Sequence, residues 1–151
     1  FRIAMQTLDG GRIGIAAQAL GLAEGAFNRT VEYVKQRKQF GRPIAQFQNT
    51  QFKIAEMATQ LEAARLLVYK AAKAKETQKV YTQEAAMAKL YASKVAVEIT
   101  NMAIQLHGGY GYIRDYAVER LARDAKITEI YEGTSEVQKM VIGGGILRWK
   151  Y

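Results

Sequence analysis

The chain has 151 residues, 49% of them hydrophobic and 24% charged, a globular composition that excludes a disordered chain and is enough for one packed domain. It has no cysteine, which excludes disulfides and thiolate metal sites, and no apolar run near the roughly 18 residues of a membrane span. The net charge of +8 suits an anionic ligand or a nucleic acid, but the basic residues are scattered and come without an RNP-like aromatic motif, zinc-finger spacing or basic heptads, so nucleic acid is not expected.

Apolar residues recur at helical spacing from residue 12 to 37, with Ile13, Ala17, Leu20, Phe27, Val31 and Val34 on one stripe. Gly10, Gly11 and Gly14 weaken the start of this helix by about 1 kcal/mol each relative to alanine. They signify either fraying or room for something bulky, and the residues alone leave both open. The only proline, Pro43, follows Phe40-Gly41-Arg42 and closes the helix.

A second helix is predicted over residues 50–75 through Ile54, Met57, Leu61, Ala64, Val68 and Ala71, with Lys70, Lys73, Lys75 and Lys79 a solvated basic face at its end. A third, over 83–106, has two stripes: Ala86, Leu90, Ser93, Val97 and Ile104, and then Val95, Ile99, Met102 and Leu106. A helix apolar on two sides is central or pressed against another subunit. Gly108-Gly109-Tyr110-Gly111-Tyr112 ends it. A short segment over 118–126 and a final helix over 134–149 complete the chain, and Gly143, Gly144 and Gly145 suggest fraying near its end. There is no strand pattern and no internal repeat. The expected fold is all-α, a four-helix up-and-down bundle forming a single domain over residues 1–151.

The most informative stretch is Ile130-Tyr131-Glu132-Gly133-Thr134-Ser135-Glu136, which sets one carboxylate between an aromatic ring and a Gly-Thr corner. Thr134 or Ser135 would cap the last helix. Glu132 is the candidate for chemistry. With one histidine and no cysteine, neither a Ser-His-Asp nor a Cys-His arrangement can be assembled. His107, beside the glycine turn, is expected to pack or hydrogen-bond rather than to catalyse.

Five segments in order carry a family likeness: Arg37-Lys38-Gln39-Phe40-Gly41; Gln48; Gln105-Leu106-His107-Gly108-Gly109-Tyr110-Gly111-Tyr112; Arg123-Asp124-Ala125-Lys126-Ile127; and residues 130–136. Together they resemble the C-terminal α-helical domain of the acyl-CoA dehydrogenases, most closely the short-chain, butyryl-CoA type, over essentially the whole chain. The resemblance, with Phe1 in place of an initiator methionine, implies a fragment of a longer chain lacking an N-terminal helical domain and a middle β-domain.

It further implies FAD as cofactor and oxidation of a short-chain acyl-CoA to the trans-2-enoyl-CoA. Glu132 would be the base for the α-proton, and its backbone N–H would help hold the thioester oxygen. Having Glu132 places the chain apart from relatives whose base lies on the first long helix. Arg37, Phe40, Gln48, Gln105, Gly108 and Gly109 match contacts to a flavin held mainly by a neighbouring subunit, and Thr134 and Glu136 match contacts to the chain's own flavin. Tyr131 and Gly133 would border the substrate, Gly133 because a side chain would block the thioester.

Asp9 and Arg12 match a CoA-contacting Asp-x-x-Arg stretch, and equally fit an ordinary helix start. The implied partners are acyl-CoA, an electron-transferring flavoprotein and further copies of the chain arranged as a dimer of dimers. The implied compartment is the bacterial cytoplasm or the mitochondrial matrix. A non-catalytic helical bundle that binds a partner or an anionic ligand is the alternative.

Overall fold

The computed structural model describes residues 2–148, with side chains from Thr7 onward. Five helices follow one another: α1 (Arg2–Gln36), α2 (Gln48–Thr77), α3 (Thr82–His107), α4 (Val118–Ile127) and α5 (Ser135–Leu147). Between α1 and α2 lies a minimal antiparallel ladder, β1 (Lys38–Gln39) against β2 (Arg42–Pro43), with Lys38 opposite Pro43. The sequence pattern did not reveal this ladder. It turns on Phe40 and Gly41, both at positive φ (51° and 79°), as a two-residue hairpin loop requires.

The core is a seam of small side chains. Ala16, Ala19, Ala23 and Ala26 of α1 are fully buried, as are Ala85, Ala88, Ala92 and Ala96 of α3, and these two helices share the most extensive contact in the molecule. Alanine on both sides lets the backbones approach closely, with Ile13, Leu20, Val95 and Ile99 filling the remaining volume. The buried stripe of α1 runs through Ala16, Ala19 and Ala23, one position away from the expected Ala17, which is exposed. On α2, Met57, Leu61, Ala64, Val68 and Ala71 are buried as the spacing predicts.

α3 packs against α1, α2, α4 and α5 and is the central helix. Of its two apolar stripes, Ala86, Ser93, Val95 and Ile99 are buried inside the chain, while Leu90, Val97, Met102, Ile104 and Leu106 are partly exposed. Thr30, Ser93 and Thr100 are buried, and each hydroxyl donates to the carbonyl four residues earlier, which satisfies it without leaving the helix.

Two glycine clusters behave differently from a frayed end. α1 passes through Gly10, Gly11 and Gly14 as unbroken helix and starts well before residue 12. α5 continues through Gly143–Gly145 to Leu147 and stops where Arg148 turns left-handed at φ 58°. The expectation of fraying there is corrected by Gln83: its side-chain amide donates to the carbonyls of Val141 (3.4 Å) and Ile142 (3.3 Å), and a Cβ on Gly145 would overlap it. Trp149, where the last helix was predicted to end, lies outside the described residues. Among the described residues no helix is long and apolar enough to cross a membrane.

Candidate functional site

The expected site residues gather at two places, near opposite ends of α3. Lys89, beneath the Glu132 corner, and Gln105, in the second cleft, lie sixteen residues apart on this one helix, about 24 Å along its axis at 1.5 Å per residue.

The Glu132 corner is built from a run of turns that prolongs α4. Ile130 N–H donates to Ile127 O at 2.9 Å and Tyr131 N–H donates to the same oxygen at 3.2 Å, before Ser135 N–H closes the loop onto Glu129 O at 3.0 Å. Glu132 and Gly133 then take left-handed conformations, φ 55° and 92°. For glutamate this costs about 1–2 kcal/mol and needs outside support. Thr134 caps α5, its hydroxyl accepting from Val137 N–H, so the stretch is both a helix start and a carboxylate platform.

The corner lies along α1. Tyr131 Oη donates to Gln18 Oε1 at 2.6 Å, and two helical turns away a Cβ built on Gly11 would stand 2.5 Å from Glu132 Oε2 and 3.1 Å from its Cδ. The absent side chain at Gly11 is therefore what makes room for the glutamate, which answers the question the first glycine cluster raised. Gly133 also has an internal reason to be glycine: besides its positive φ, a Cβ would meet Gln138 Nε2 at 2.7 Å. Beside the corner, the exposed Glu136 carboxyl sits below the usual carboxylate range, mainly because it accepts from its own backbone N–H and then from the Thr134 hydroxyl.

Asp9 and Arg12 are not on the surface. They are 4% and 3% exposed, joined at 2.8 Å, and the second Asp9 oxygen accepts from Thr82 Oγ1 at 2.6 Å. The pair ties the early part of α1 to the start of α3, directly below the turn that faces Glu132.

At the other end, Arg37, Gln105, Gly108 and Gly109 line a cleft of about 580 Å³ together with Tyr33, His107 and Tyr110. Phe40, 92% exposed on the hairpin turn, and Gln48, exposed at the start of α2, stand outside its walls. His107 is buried, stacked on Tyr33 with ring centroids 4.1 Å apart, and its Nδ1 lies 2.7 Å from Ala103 O. Burial lowers its pKa, although the Ala103 carbonyl works the other way. Tyr33 Oη in turn donates to His107 O at 3.2 Å, Tyr116 meets both rings edge-on, and the Arg37 guanidinium lies 5.1 Å from the Tyr110 ring centre.

Gly108, at φ 62°, and Gly109 leave open space where a Cβ would stand. One cation, stacked aromatic area and bare backbone beside an open cleft suit the pyrophosphate and ring portions of a dinucleotide.

Sequence reasoning missed four contributors: Gln18, Lys89, Gln138 and the Tyr33–Tyr116 aromatic pair. The one available signal was a lysine at position 89 on an otherwise small and apolar helix face. Gln138 and Gln18 look like any polar helical residue until the loop is placed on them.

The family model described as acyl-CoA dehydrogenase, C-terminal domain, matches residues 1–147. A short-chain specific acyl-CoA dehydrogenase of Clostridium acetobutylicum is 63% identical over 148 residues, which are 98% of this chain and 39% of that protein. The butyryl-CoA dehydrogenase structure from Megasphaera elsdenii superposes with a TM-score of 0.96 at 61% identity, covering 98% of this chain and 39% of that one. A caffeyl-CoA reductase–Etf complex subunit of Acetobacterium woodii is 55% identical over 98% of this chain and 39% of its own length. The chain thus spans about two fifths of the length of these relatives, and with its helical fold and the family match over nearly every residue it belongs to the acyl-CoA dehydrogenases, as their C-terminal domain.

Proposed function

We propose that this chain supplies one wall of the active site of an FAD-dependent acyl-CoA dehydrogenase that oxidises short-chain acyl-CoA to trans-2-enoyl-CoA. The observation that carries the reading is the Glu132 carboxylate, presented by a left-handed corner over the bare backbone of Gly11. A thioester α-proton is weakly acidic, so its removal needs a carboxylate fixed in place and a donor for the enolate oxygen. Glu132 takes the proton. Among the described residues no acceptor takes up the Glu132 backbone N–H, which leaves it for the thioester oxygen.

FAD, when bound, supplies the acceptor for the β-hydrogen, which departs as hydride. Arg37, Gln105, Gly108 and Gly109 would hold the cofactor of a neighbouring copy from the cleft, with Phe40 and Gln48 at its rim. Thr134 and Glu136 would meet the chain's own cofactor. Tyr131 and Gly133 would border the acyl group. The Asp9–Arg12 pair supports α1 under Glu132 on this reading, and a contact to CoA would have to reach it through the covering residues.

Sharing a cofactor between copies calls for a homo-oligomer. An electron-transferring flavoprotein is the proposed electron partner, consistent with the Etf-complex relative. The proposed compartment is the bacterial cytoplasm or the mitochondrial matrix. The chain by itself, holding one wall only, is expected to bind FAD weakly and turn over little.

The test is anaerobic bleaching of the flavin band in the full-length protein by butyryl-CoA, and then by octanoyl-CoA. Bleaching that Glu132→Gln slows by about 10²–10⁴-fold supports the reading, the range a positioned base contributes. A bound flavin that neither substrate bleaches rejects this substrate class, and a colourless protein leaves the non-catalytic helical bundle.

A further inference from the structure

Apart from His107 at its last position, the buried face of α3 is alanine, serine, threonine, valine and isoleucine, with a single lysine near its start. Lys89 is 0% exposed, surrounded in sequence by the buried Ala85, Ala86, Ala88, Ala92 and Ser93. An ammonium taken out of water is costly unless its donors are used. The hydrogen bond that receives it is to a carbonyl rather than a carboxylate: Lys89 Nζ donates to Gly133 O at 2.7 Å.

The same carbonyl accepts from Gln138 Nε2 at 2.9 Å, and that amide also reaches Glu132 O at 3.2 Å. Gln138 is fully buried as well. Two buried side chains, from α3 and α5, thus converge on the carbonyls of the two successive left-handed residues, Glu132 and Gly133. A non-glycine residue in that conformation persists only when its surroundings hold it. For stability alone the ammonium is not required: a methionine at position 89 would remove the cost of burying a charge, and the Gly133 carbonyl would keep its Gln138 donor.

We propose that Lys89 is the positioning residue for Glu132: reaching from the core face of α3, its ammonium grips the Gly133 carbonyl and, with Gln138, holds the corner so that the glutamate stays over Gly11. The proposal rests on the reading of Glu132 as the base. Arg12, Glu129, Glu132 and Glu136 are the charged groups whose fields Lys89 feels, and burial, with Arg12 on its side, outweighs the three carboxylates in lowering its pKa.

The experiment compares wild type with Lys89→Met in the full-length protein, measuring flavin bleaching by butyryl-CoA, amide hydrogen exchange over residues 131–138, and thermal unfolding. The expected result is a rate about 10- to 100-fold lower with KM held within about threefold, as for a base displaced by an ångström. Faster exchange confined to the corner and an unchanged or higher melting temperature should accompany it. Should Lys89→Met fail to accumulate, Lys89→Gln, polar but too short to reach Gly133, carries the same readouts.

Wild-type rates and exchange in the variant overturn the proposal while leaving Glu132 as base. Loss of rate together with a lower melting temperature and faster exchange throughout α3 and α5 also overturns it, because that is a structural role. A Glu132→Gln variant that bleaches as fast as wild type sinks the reading of Glu132 and this proposal with it, whereas a wild-type protein that does not bleach rejects the substrate class.

Discussion

The two ends of α3 solve opposite problems with opposite materials. The cleft around Arg37 is made of rings and bare glycine backbone: Tyr33, His107 and Tyr116 brace one another, and Gly108 and Gly109 leave space. The Glu132 corner is held by polar groups: the buried Lys89 and Gln138 donate to its backbone carbonyls, and the half-buried Thr134 caps α5 by accepting from the Val137 N–H. One end suits receiving a large ligand, while the other fixes a single carboxylate. Aromatic stacking tolerates some variation in what it contacts, whereas a hydrogen-bonded corner in a strained conformation has a narrow working range.

The contrast can be broken most sharply at Gly11. Gly11→Ala adds a methyl where the Glu132 carboxylate stands, and the rate of flavin reduction is expected to fall by about 10²-fold. The helix itself should gain up to about 1 kcal/mol from the change, so rate and melting temperature should move in opposite directions. A rate within twofold of wild type, on the order of experimental scatter, would mean the carboxylate has other room to work.

At the cleft, Arg37→Ala is expected to weaken retention of FAD by about 10-fold or more, the scale of one charge-assisted hydrogen bond, while bleaching by substrate in the fraction still holding flavin stays near wild type. Equal loss at both would show that the two ends are not separable.

The smallest effect is expected from His107→Leu. Its pKa is lowered in the fold, chiefly by burial, so the unfolded chain takes up the proton first. The stability contributed by the neutral ring is fully present above the ordinary histidine value of 6.5 and is lost as pH falls through the lowered one. The melting temperature of the wild type should drop more steeply than that of the variant as pH is taken below 6.5. Parallel curves would mean that other groups set the acid limit.

Much of the bundle could be read from helical periodicity and the lone proline, and the motif order pointed to the family before any packing was known. The misreadings have physical causes. Glycine propensity is a local quantity of about 1 kcal/mol per residue, and it lost to the packing of Ile13 and Ala16 against α3, so α1 runs unbroken through its glycines. Ile13, Leu20 and Val34 are buried as the stripe predicts, but alanine at Ala16 and Ala17 offers no contrast between faces, which is why Ala17 was placed on the buried side. Lys89 meets Gly133 across 44 residues, and no periodic pattern encodes a contact of that range. Glu132 stood out in the sequence by its place between an aromatic ring and a Gly-Thr corner; what holds that corner did not, because Gln138 acts through an amide pointed at two carbonyls.

α3 has neither glycine nor proline between Thr82 and His107, so it behaves as a ruler with fixed graduations. Inserting or deleting one residue between Lys89 and Gln105 would turn one end by about 100° against the other and shift it by about 1.5 Å, uncoupling corner from cleft at a stroke. Changes of length should therefore be tolerated outside that interval, as in the turn at 78–81, and any homologue that lengthened the rod would have to do so by whole turns.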